Sequence, residues 1–528
     1  MQRYLFLWFL LFLLVGCAGV NRYAEQDAGQ LSKTHGLVHA VFPKVWGKNE
    51  VSLVLQSREN GNDYYVSKAF SDGSYLMWVP SGEYDIKELI GDKKDGGGAV
   101  EVKAGIVTDL GVLRRCDVGE YGSVLIAFDH PEFDGRVDKY IDLNKQYLRS
   151  RDPIVWRLGF VPKINYENHP YSDMGLVVDV LMLYVRDANK APPNKSLREA
   201  KTLGDFVSAV KKTASPTIGW LTKDDVGNVY SGADFGQLRV RDVKGVWRQM
   251  DTGTTQPITA VYSDNGVLYA GTADGKIRVK ASDSVWRMTH SVPDNESVTS
   301  LNRVRGRWFV VTEEMSSVKE GAVLLTNAVR LYSGIEDDFS DMKVVKKNIS
   351  DGRAPFYSSA EVLKAVASEN RFYFNSSNEI GFFDVSSMKW SRMNPGFDGV
   401  NSFYVSPGLG FVSAFKNQGV FSRLSYSEDD GKKWTDVVRP PYVVANVFLR
   451  SKTDADGSRW SAGMFTGSIE YIRYDQEKNE WKKIVNVAPG DCVRTLATQD
   501  GSFQFCVSRG GDIYRFDGIK LVKELVGG

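Results

Sequence analysis

Apolar and polar positions change rhythm several times along the chain, and each rhythm predicts a different element. Tyr4 to Val15 is an almost unbroken apolar run of twelve residues behind Arg3, shorter than the roughly 20 that a helix needs to cross a bilayer. Residues 17–33 turn polar and small (Asn21, Glu25, Gln26, Asp27, Ser32), and read as a tether with no core of its own. From 34 to 128, short alternating runs such as Val51-Ser52-Leu53-Val54-Leu55 and Tyr75-Leu76-Met77-Trp78-Val79 are divided by turns such as Asn60-Gly61-Asn62-Asp63. Strands of that length at intervals of about ten residues predict a small β-sandwich. The Gly96-Gly97-Gly98 run reads as a hairpin tip.

Residues 129–215 carry a helical period instead, at Asp138 to Arg149 and Ser196 to Ala214. Ser196-Leu197-Arg198-Glu199 has the spacing of a capping box, and Pro192-Pro193 marks the boundary before it. The stretch reads as a mixed α/β connector that packs on one neighbour or both.

From 216 to 528 the pattern repeats. Tyr230 and Tyr269, Gly236 and Gly275, Arg239 and Arg278, and Trp247 and Trp286 all stand 39 residues apart. Looser copies follow around Phe372, Phe411, Trp460 and Phe503, with Trp308 opening a longer, degenerate one. Each unit reads as four strands. A lone sheet of four cannot bury both its faces, so such units stack around an axis. At roughly 40–45 residues per unit the stretch holds about seven blades of a β-propeller, with boundaries near 217, 256, 296, 360, 399, 443 and 490. The recurring tryptophans are then outer-strand packing residues rather than sugar-stacking platforms. The fold class expected is mainly β: an N-terminal sandwich, a short mixed connector and a C-terminal propeller.

Composition adds limits. Lys+Arg number 66 against 65 Asp+Glu, a balance that does not favour nucleic-acid binding. The cysteines are 17, 116, 492 and 506. In an oxidising compartment the spacing of Cys492 and Cys506 permits a disulfide across neighbouring strands, with Cys116 left over.

Three short motifs resemble known families. Leu14-Val15-Gly16-Cys17 resembles the bacterial lipobox, which implies a signal peptide over 1–16, cleavage behind Gly16, and acyl chains on Cys17. Several chains anchor stably where one would be marginal. Ala18 beside the cysteine favours the outer membrane by that family's sorting rule. Val79-Pro80-Ser81-Gly82-Glu83-Tyr84 and Val102 to Gly111 resemble transthyretin-like sandwiches of carboxypeptidase-regulatory type, usually spacers or adhesion units. In these, a Pro-Gly turn delivers one strand and a Gly turn sets up the last hairpin. Ser427-x-Asp429-x-Gly431-x-x-Trp434 resembles the Asp box of sialidase-like propellers. There the Asp ties the backbone of a hairpin turn, Gly takes the left-handed position, and Trp packs between sheets.

Catalytic sets are not apparent. The sialidase resemblance would bring three arginines, a Tyr-Glu nucleophilic pair, an Asp acid and an Arg-Ile-Pro segment. The first blade begins Thr217-Ile218-Gly219-Trp220 instead, and Arg239 and Arg278 fit repeat architecture better. The histidines at 35, 39, 130, 169 and 290 are scattered, and no metal set is expected. Asp454-Ala455-Asp456-Gly457 lacks the remaining calcium ligands and reads as a plain turn. No cofactor motif is present. The expectation is a membrane-anchored envelope lipoprotein that binds or scaffolds an envelope protein or glycan without catalysis. The alternative is a glycan-directed hydrolase of sialidase-like propeller type.

Overall fold

A computed structural model describes residues 28–43, 53–66, 73–86, 99–117, 123–157 and 195–525, the last range with breaks of which 316–324, 350–355, 358–364, 440–458 and 487–493 are the longest. It divides into two compact units, one holding the described residues up to 157 and the other those from 195. No helix among the described residues is long and apolar enough to cross a membrane.

The first unit is a sandwich. One sheet runs in the order Ser74–Pro80, His35–Val41, Val107–Asp117, Ser123–Phe128, with Ile154–Val155 added beside Val107–Asp117. The other runs Asp63–Val66, Leu53–Ser57, Gly82–Ile86, Val100–Val102. Alternation sends Val38, Ala40, Leu53, Leu55, Tyr84, Leu110 and Leu113 into one buried core, as a half-buried strand requires. Pro80-Ser81-Gly82 carries the chain from one sheet to the other, and the Tyr84 hydroxyl donates back to the Pro80 carbonyl at 2.7 Å. The Gly105 turn differs from the expected hairpin. Val100–Val102 and Val107–Asp117 lie in different sheets, so the turn is a second crossover.

Two expectations about the flanks need correction. Ala28–Leu31 is a helical turn, and Ala28 is buried with Leu37, Leu76, Trp78 and Val107. The expected tether over 17–33 therefore ends before residue 28, because those outward side chains of the sheet need cover. Part of the expected connector supplies the rest of it. The helix Arg136–Asn144 brings Tyr140 and Ile141 into the same cluster, so it belongs to the sandwich unit. Gly96-Gly97-Gly98 lies outside the described residues.

In the second unit, two helices, Lys195–Glu199 and Leu203–Lys212, precede the repeats. The capping box is on the second of them. Thr202 accepts from the Asp205 backbone N–H at 3.1 Å, and the Asp205 carboxylate accepts from that of Thr202 at 3.1 Å. Ser196 lies within the first helix, not at its cap. Lys211 reaches Asp251 at 2.7 Å, so this half of the connector packs on the repeats.

Seven blades follow among the described residues, at 220–251, 258–291, 296–349, 365–393, 402–437, 459–486 and 494–525, here called blades 1 to 7, the first and last joined in one eight-stranded sheet. Six are four-stranded antiparallel meanders; blade 6 has three described strands, and blade 3 gains Phe356–Tyr357 at its long second hairpin. A meander puts its first and third turns at one end of the strands and its second at the other. First strands of neighbouring blades are tied by hydroxyls at the repeat spacing: Thr222 donates to the Val261 carbonyl and Thr259 to that of Val298, each 39 residues on.

Tryptophans on fourth strands fill the wedges between blades, as expected. Trp247 joins the cluster shared by blades 7 and 1, Trp286 that of blades 1 and 2, Trp390 that of 3 and 4, Trp434 that of 4 and 5, and Trp481 that of 5 and 6. Blade 3 uses Trp308 on its second strand, fully buried against Tyr269 and Phe339.

The ring closes between two whole blades. Trp220 and Leu221 of blade 1 pair in parallel with Ala497 and Thr498 of blade 7. Outward along the same seam, Arg241 of blade 1 donates twice to Glu524 of blade 7, at 2.7 and 2.8 Å. Trp247 and Arg515 donate to the same carboxylate at 3.2 and 2.7 Å.

Candidate functional site

The turn at Ser427 to Trp434, which resembles an Asp box, is built from its own short sequence. It joins Arg423–Ser427 to Thr435–Val437, the third turn of blade 5. The Asp429 carboxylate accepts from the backbone N–H groups of Lys432 and Lys433 at 3.1 and 2.8 Å, and Ser427 accepts from that of Gly431 at 2.8 Å. Those bonds to the ionised form hold the Asp429 carboxyl below the usual range. Gly431 sits at φ +81°, and a Cβ there would meet Met393 Sδ at 2.4 Å, so both backbone and space demand glycine. Trp434 donates to the Gly431 carbonyl at 2.9 Å and packs with Val400, Phe403 and Met393. The neighbouring Asp430 looks to blade 4 instead, accepting from Tyr373 at 2.8 Å and pairing with Arg371 at 2.7 Å. Replacing Asp429 by Ala is expected to speed hydrogen exchange at the Lys432 and Lys433 amides and to lower Tm. Unchanged exchange at both amides would show that the carboxylate does not hold the turn.

Third turns elsewhere use the same chemistry in degenerate form, which the sequence reading missed. Asp242 accepts from Lys244 and Val246, both at 2.9 Å, and Trp247 follows. Asp384 accepts from Ser387 at 2.9 Å and precedes Trp390; Asp475 accepts from Lys478 at 3.1 Å and precedes Trp481. An Asp five or six residues before a Trp was the available signal. The Ser427–Trp434 turn is thus one member of a series, and its work is to close a hairpin.

The hydrolase reading asks for a Tyr-Glu pair, and blade 3 contains one. Tyr332 donates to Glu296 at 3.0 Å, Arg330 pairs with Glu296 at 3.0 Å, and Thr312 also donates to that carboxylate. Glu296 is buried. Burial, together with the Glu296 charge and hydrogen bond, pushes the Tyr332 hydroxyl up beyond its ordinary value of 10.0. An adjacent carboxylate is what a tyrosine nucleophile uses as its general base, so the shift itself does not separate the two roles. The pair is also packed with the apolar residues that join blades 2 and 3, since Tyr332 packs against that cluster. Its geometry suits holding the first three strands of blade 3 together.

Other expected residues fall as follows. Arg239 and Arg278 occupy matching third strands, in Gln237–Arg241 and Lys276–Lys280. Arg239 is buried and donates to the Ala214 carbonyl at 2.9 Å, an architectural role. His35 and His39 share a strand but not a site: His35 meets Thr34 at 2.8 Å, while His39 is buried against Asp109 at 2.8 Å. Arg157 pairs with the other Asp109 oxygen at 3.0 Å. Among the described residues no group of three or more His, Cys, Asp and Glu is placed to hold a metal ion. Cys116 is buried in Val107–Asp117 of the sandwich. Cys506 is buried in blade 7 and disulfide-bonded. Cys17, Cys492, His169 and Asp454 to Gly457 lie outside the described residues.

No family model matches the sequence, and no curated protein matches it. Solved structures do. A chain of a mitotic checkpoint complex is 12% identical, with a TM-score of 0.39 over 57% of this chain and 86% of that one. The WD40 β-propeller domain of Doa1 is 13% identical, with a TM-score of 0.36 over 59% and 92%. The computationally designed Ika8 protein is 13% identical, with a TM-score of 0.37 over 58% and 86%. The architecture rests on this chain's own strand pairing: a β-sandwich followed by seven propeller-like blades.

Proposed function

We propose that this chain is an acylated lipoprotein of the bacterial envelope whose propeller binds or scaffolds another envelope component without catalysis. The observation that supports it best is how the chain spends its charged groups. Asp430, Glu524 and Arg239 are engaged in joining blades or helix to blade, and Glu296 in joining strands within blade 3. What differs from blade to blade is the surface of the turns, the usual substrate of recognition on a rigid scaffold. Leu14-Val15-Gly16-Cys17 supports the anchor, with the outer membrane favoured by Ala18. In this reading Cys492 and Cys506 form a disulfide suited to an oxidising compartment.

The test is acyl labelling and fractionation of cells making the wild type or Cys17→Ser. Labelled palmitate is expected in the wild type only, and the wild type alone is expected in the membrane fraction. Crosslinked pull-downs from the two strains should then differ in the partner recovered. Identical behaviour as soluble protein would end the anchoring proposal.

The glycan-hydrolase reading has the Glu296–Tyr332 pair in its favour. It requires Tyr332→Phe to abolish glycosidase activity of a folded protein, and the burial of Glu296 argues the other way.

A further inference from the structure

Seams between neighbouring blades are built alike, so a donor that has its acceptor at one seam and lacks it at the next is informative. At the seam of blades 7 and 1, Trp247 stands opposite Arg241, and both donate to Glu524 on the last strand of blade 7. At the 39-residue repeat spacing, Trp286 and Lys280 hold the same places in blade 2, with Arg278 where blade 1 has Arg239. Val279 pairs with Arg287, which puts Trp286 opposite Lys280 and diagonal to Arg278. Long or aromatic side chains in that relation on one face of a sheet are within reach of each other. The face is the one turned to blade 1: Trp286 packs with Tyr230, Leu238 and Val240, and Arg278 pairs with Ala270 of the same cluster.

Among the described residues this second seam has no counterpart of Glu524. The last strand of blade 1, Trp247–Asp251, turns Met250 toward blade 2, as blade 7 turns Glu524 toward blade 1. Its one acid, Asp251, is already held by Lys211 at 2.7 Å and by the Gly253 N–H at 2.8 Å. Accordingly Trp286 Nε1 and Arg278 Nε are buried, and neither has a hydrogen-bond partner among the described residues. An unmet buried donor is costly, and one on a cation more so. Two on one face call for an acceptor from outside. The way in is open, since Trp286 and Arg278 are half-buried as whole residues, and Met288, paired with Arg278, is 56% exposed.

We propose that the seam of blades 1 and 2 is a binding slot for a carboxylate, one oxygen accepting from Trp286 Nε1 and the other from Arg278. Glu524 displays the chemistry at the neighbouring seam, where one carboxylate takes an indole N–H and two guanidinium groups. The ligand is a free carboxylic acid or an acidic side chain of a partner, alike in the group that enters. The slot lies on the outer strands of its blade, apart from the Glu296–Tyr332 pair of blade 3. The inference rests on the reading of the propeller as a binding body and gives that body a group to recognise.

Heteronuclear NMR of the indole N–H groups in the full chain carrying Cys17→Ser follows the site directly. Sodium acetate is expected to shift the Trp286 signal, and sodium chloride at equal ionic strength to leave it in place. The Trp247 signal, already bonded to Glu524, should stay put in both. Arg278→Gln should raise the acetate dissociation constant roughly tenfold with unchanged circular dichroism. Met250→Glu supplies the acid from the chain itself, so the Trp286 signal should move without ligand and stop responding to acetate. A blocked Gly-Glu-Gly peptide that binds roughly tenfold tighter than acetate would support the slot and identify its ligand as an acidic side chain. Equal binding would support it with a free acid. A Trp286 signal indifferent to acetate and peptide, moved as far by sulfate as by acetate, or equally responsive in Arg278→Gln would overturn the proposal. Such results would sink the slot alone, since a partner recovered by crosslinking would still leave the binding function standing.

Discussion

Replacing Glu524 by Ala is expected to cost about 3–5 kcal/mol of unfolding free energy, because it strands a charge at the seam of the ring. The carboxylate takes two hydrogen bonds from Arg241, one from Arg515 and one from Trp247. Side chains of Glu524 and Arg241 are only 10% and 9% exposed, so water cannot replace the lost partner for Arg241. The backbone of the seam contributes two residue pairs, which makes the side-chain clamp a large part of closure. Chemical denaturation would give the magnitude. Limited proteolysis should cut first beside blades 1 and 7. Exchanging Arg241 and Glu524 together for apolar residues of similar size should recover part of the loss, since the buried guanidinium goes with its partner and only the more exposed Arg515 loses its carboxylate. An Ala variant as stable as wild type would mean that the clamp forms only incidentally.

The same group gives a pH dependence of known sign. Burial raises the Glu524 pKa, but hydrogen bonds and charge from Arg241 and Arg515 outweigh it and hold the carboxyl below 4.5. A folded-state pKa below the unfolded one stabilises fully above the unfolded value. That contribution is lost as pH falls through the folded value. The seam should therefore loosen below about pH 4.5, and Glu524→Gln should flatten that part of the stability curve.

Asp109→Ala is the second large effect, expected at about 3–5 kcal/mol in the sandwich unit. Asp109 is buried on the central strand Val107–Asp117, in parallel register with His39. One oxygen meets His39 Nδ1 at 2.8 Å and the other Arg157 at 3.0 Å. Burial pushes its pKa up, yet the hydrogen bonds and charges of His39 and Arg157 hold it below 3.8. Stability from Asp109 is thus present at neutral pH and lost on acidification through that lower value. Asp109→Asn should cost less, because the amide keeps one acceptor for Arg157 or His39. A shift in the sandwich's thermal transition smaller than that of an exposed control, such as Asp142→Ala, would refute the assignment.

What the sequence made legible was local and repeated. Tyr230 and Tyr269 at one spacing announced the blades, and each Trp on a fourth strand repeated the same packing problem. Ser427, Asp429, Gly431 and Trp434 form a turn that closes on itself, so its residues could be read without the rest of the chain. The parts that escaped depend on distant partners. Glu524 finds Arg241 across 283 residues of chain. Tyr332 meets Glu296 only because three strands fold beside each other. The cap at Thr202 was displaced from Ser196 because a short helix ends at Glu199 and a second begins after Thr202. Gly105 signals a sharp turn, but not whether the next strand stays in the sheet or leaves it.

Closure between two complete blades has a consequence for how such a chain can change over generations. A ring sealed by exchanging strands between its ends must always rebuild one blade from two distant pieces of gene. Here every described blade is one contiguous stretch of sequence. Copying or deleting a stretch of 39 residues adds or removes a whole unit and leaves the terminal pair free to meet again. Blades 1 and 2 keep that unit in register, with Tyr230, Gly236, Arg239 and Trp247 each matched 39 residues on.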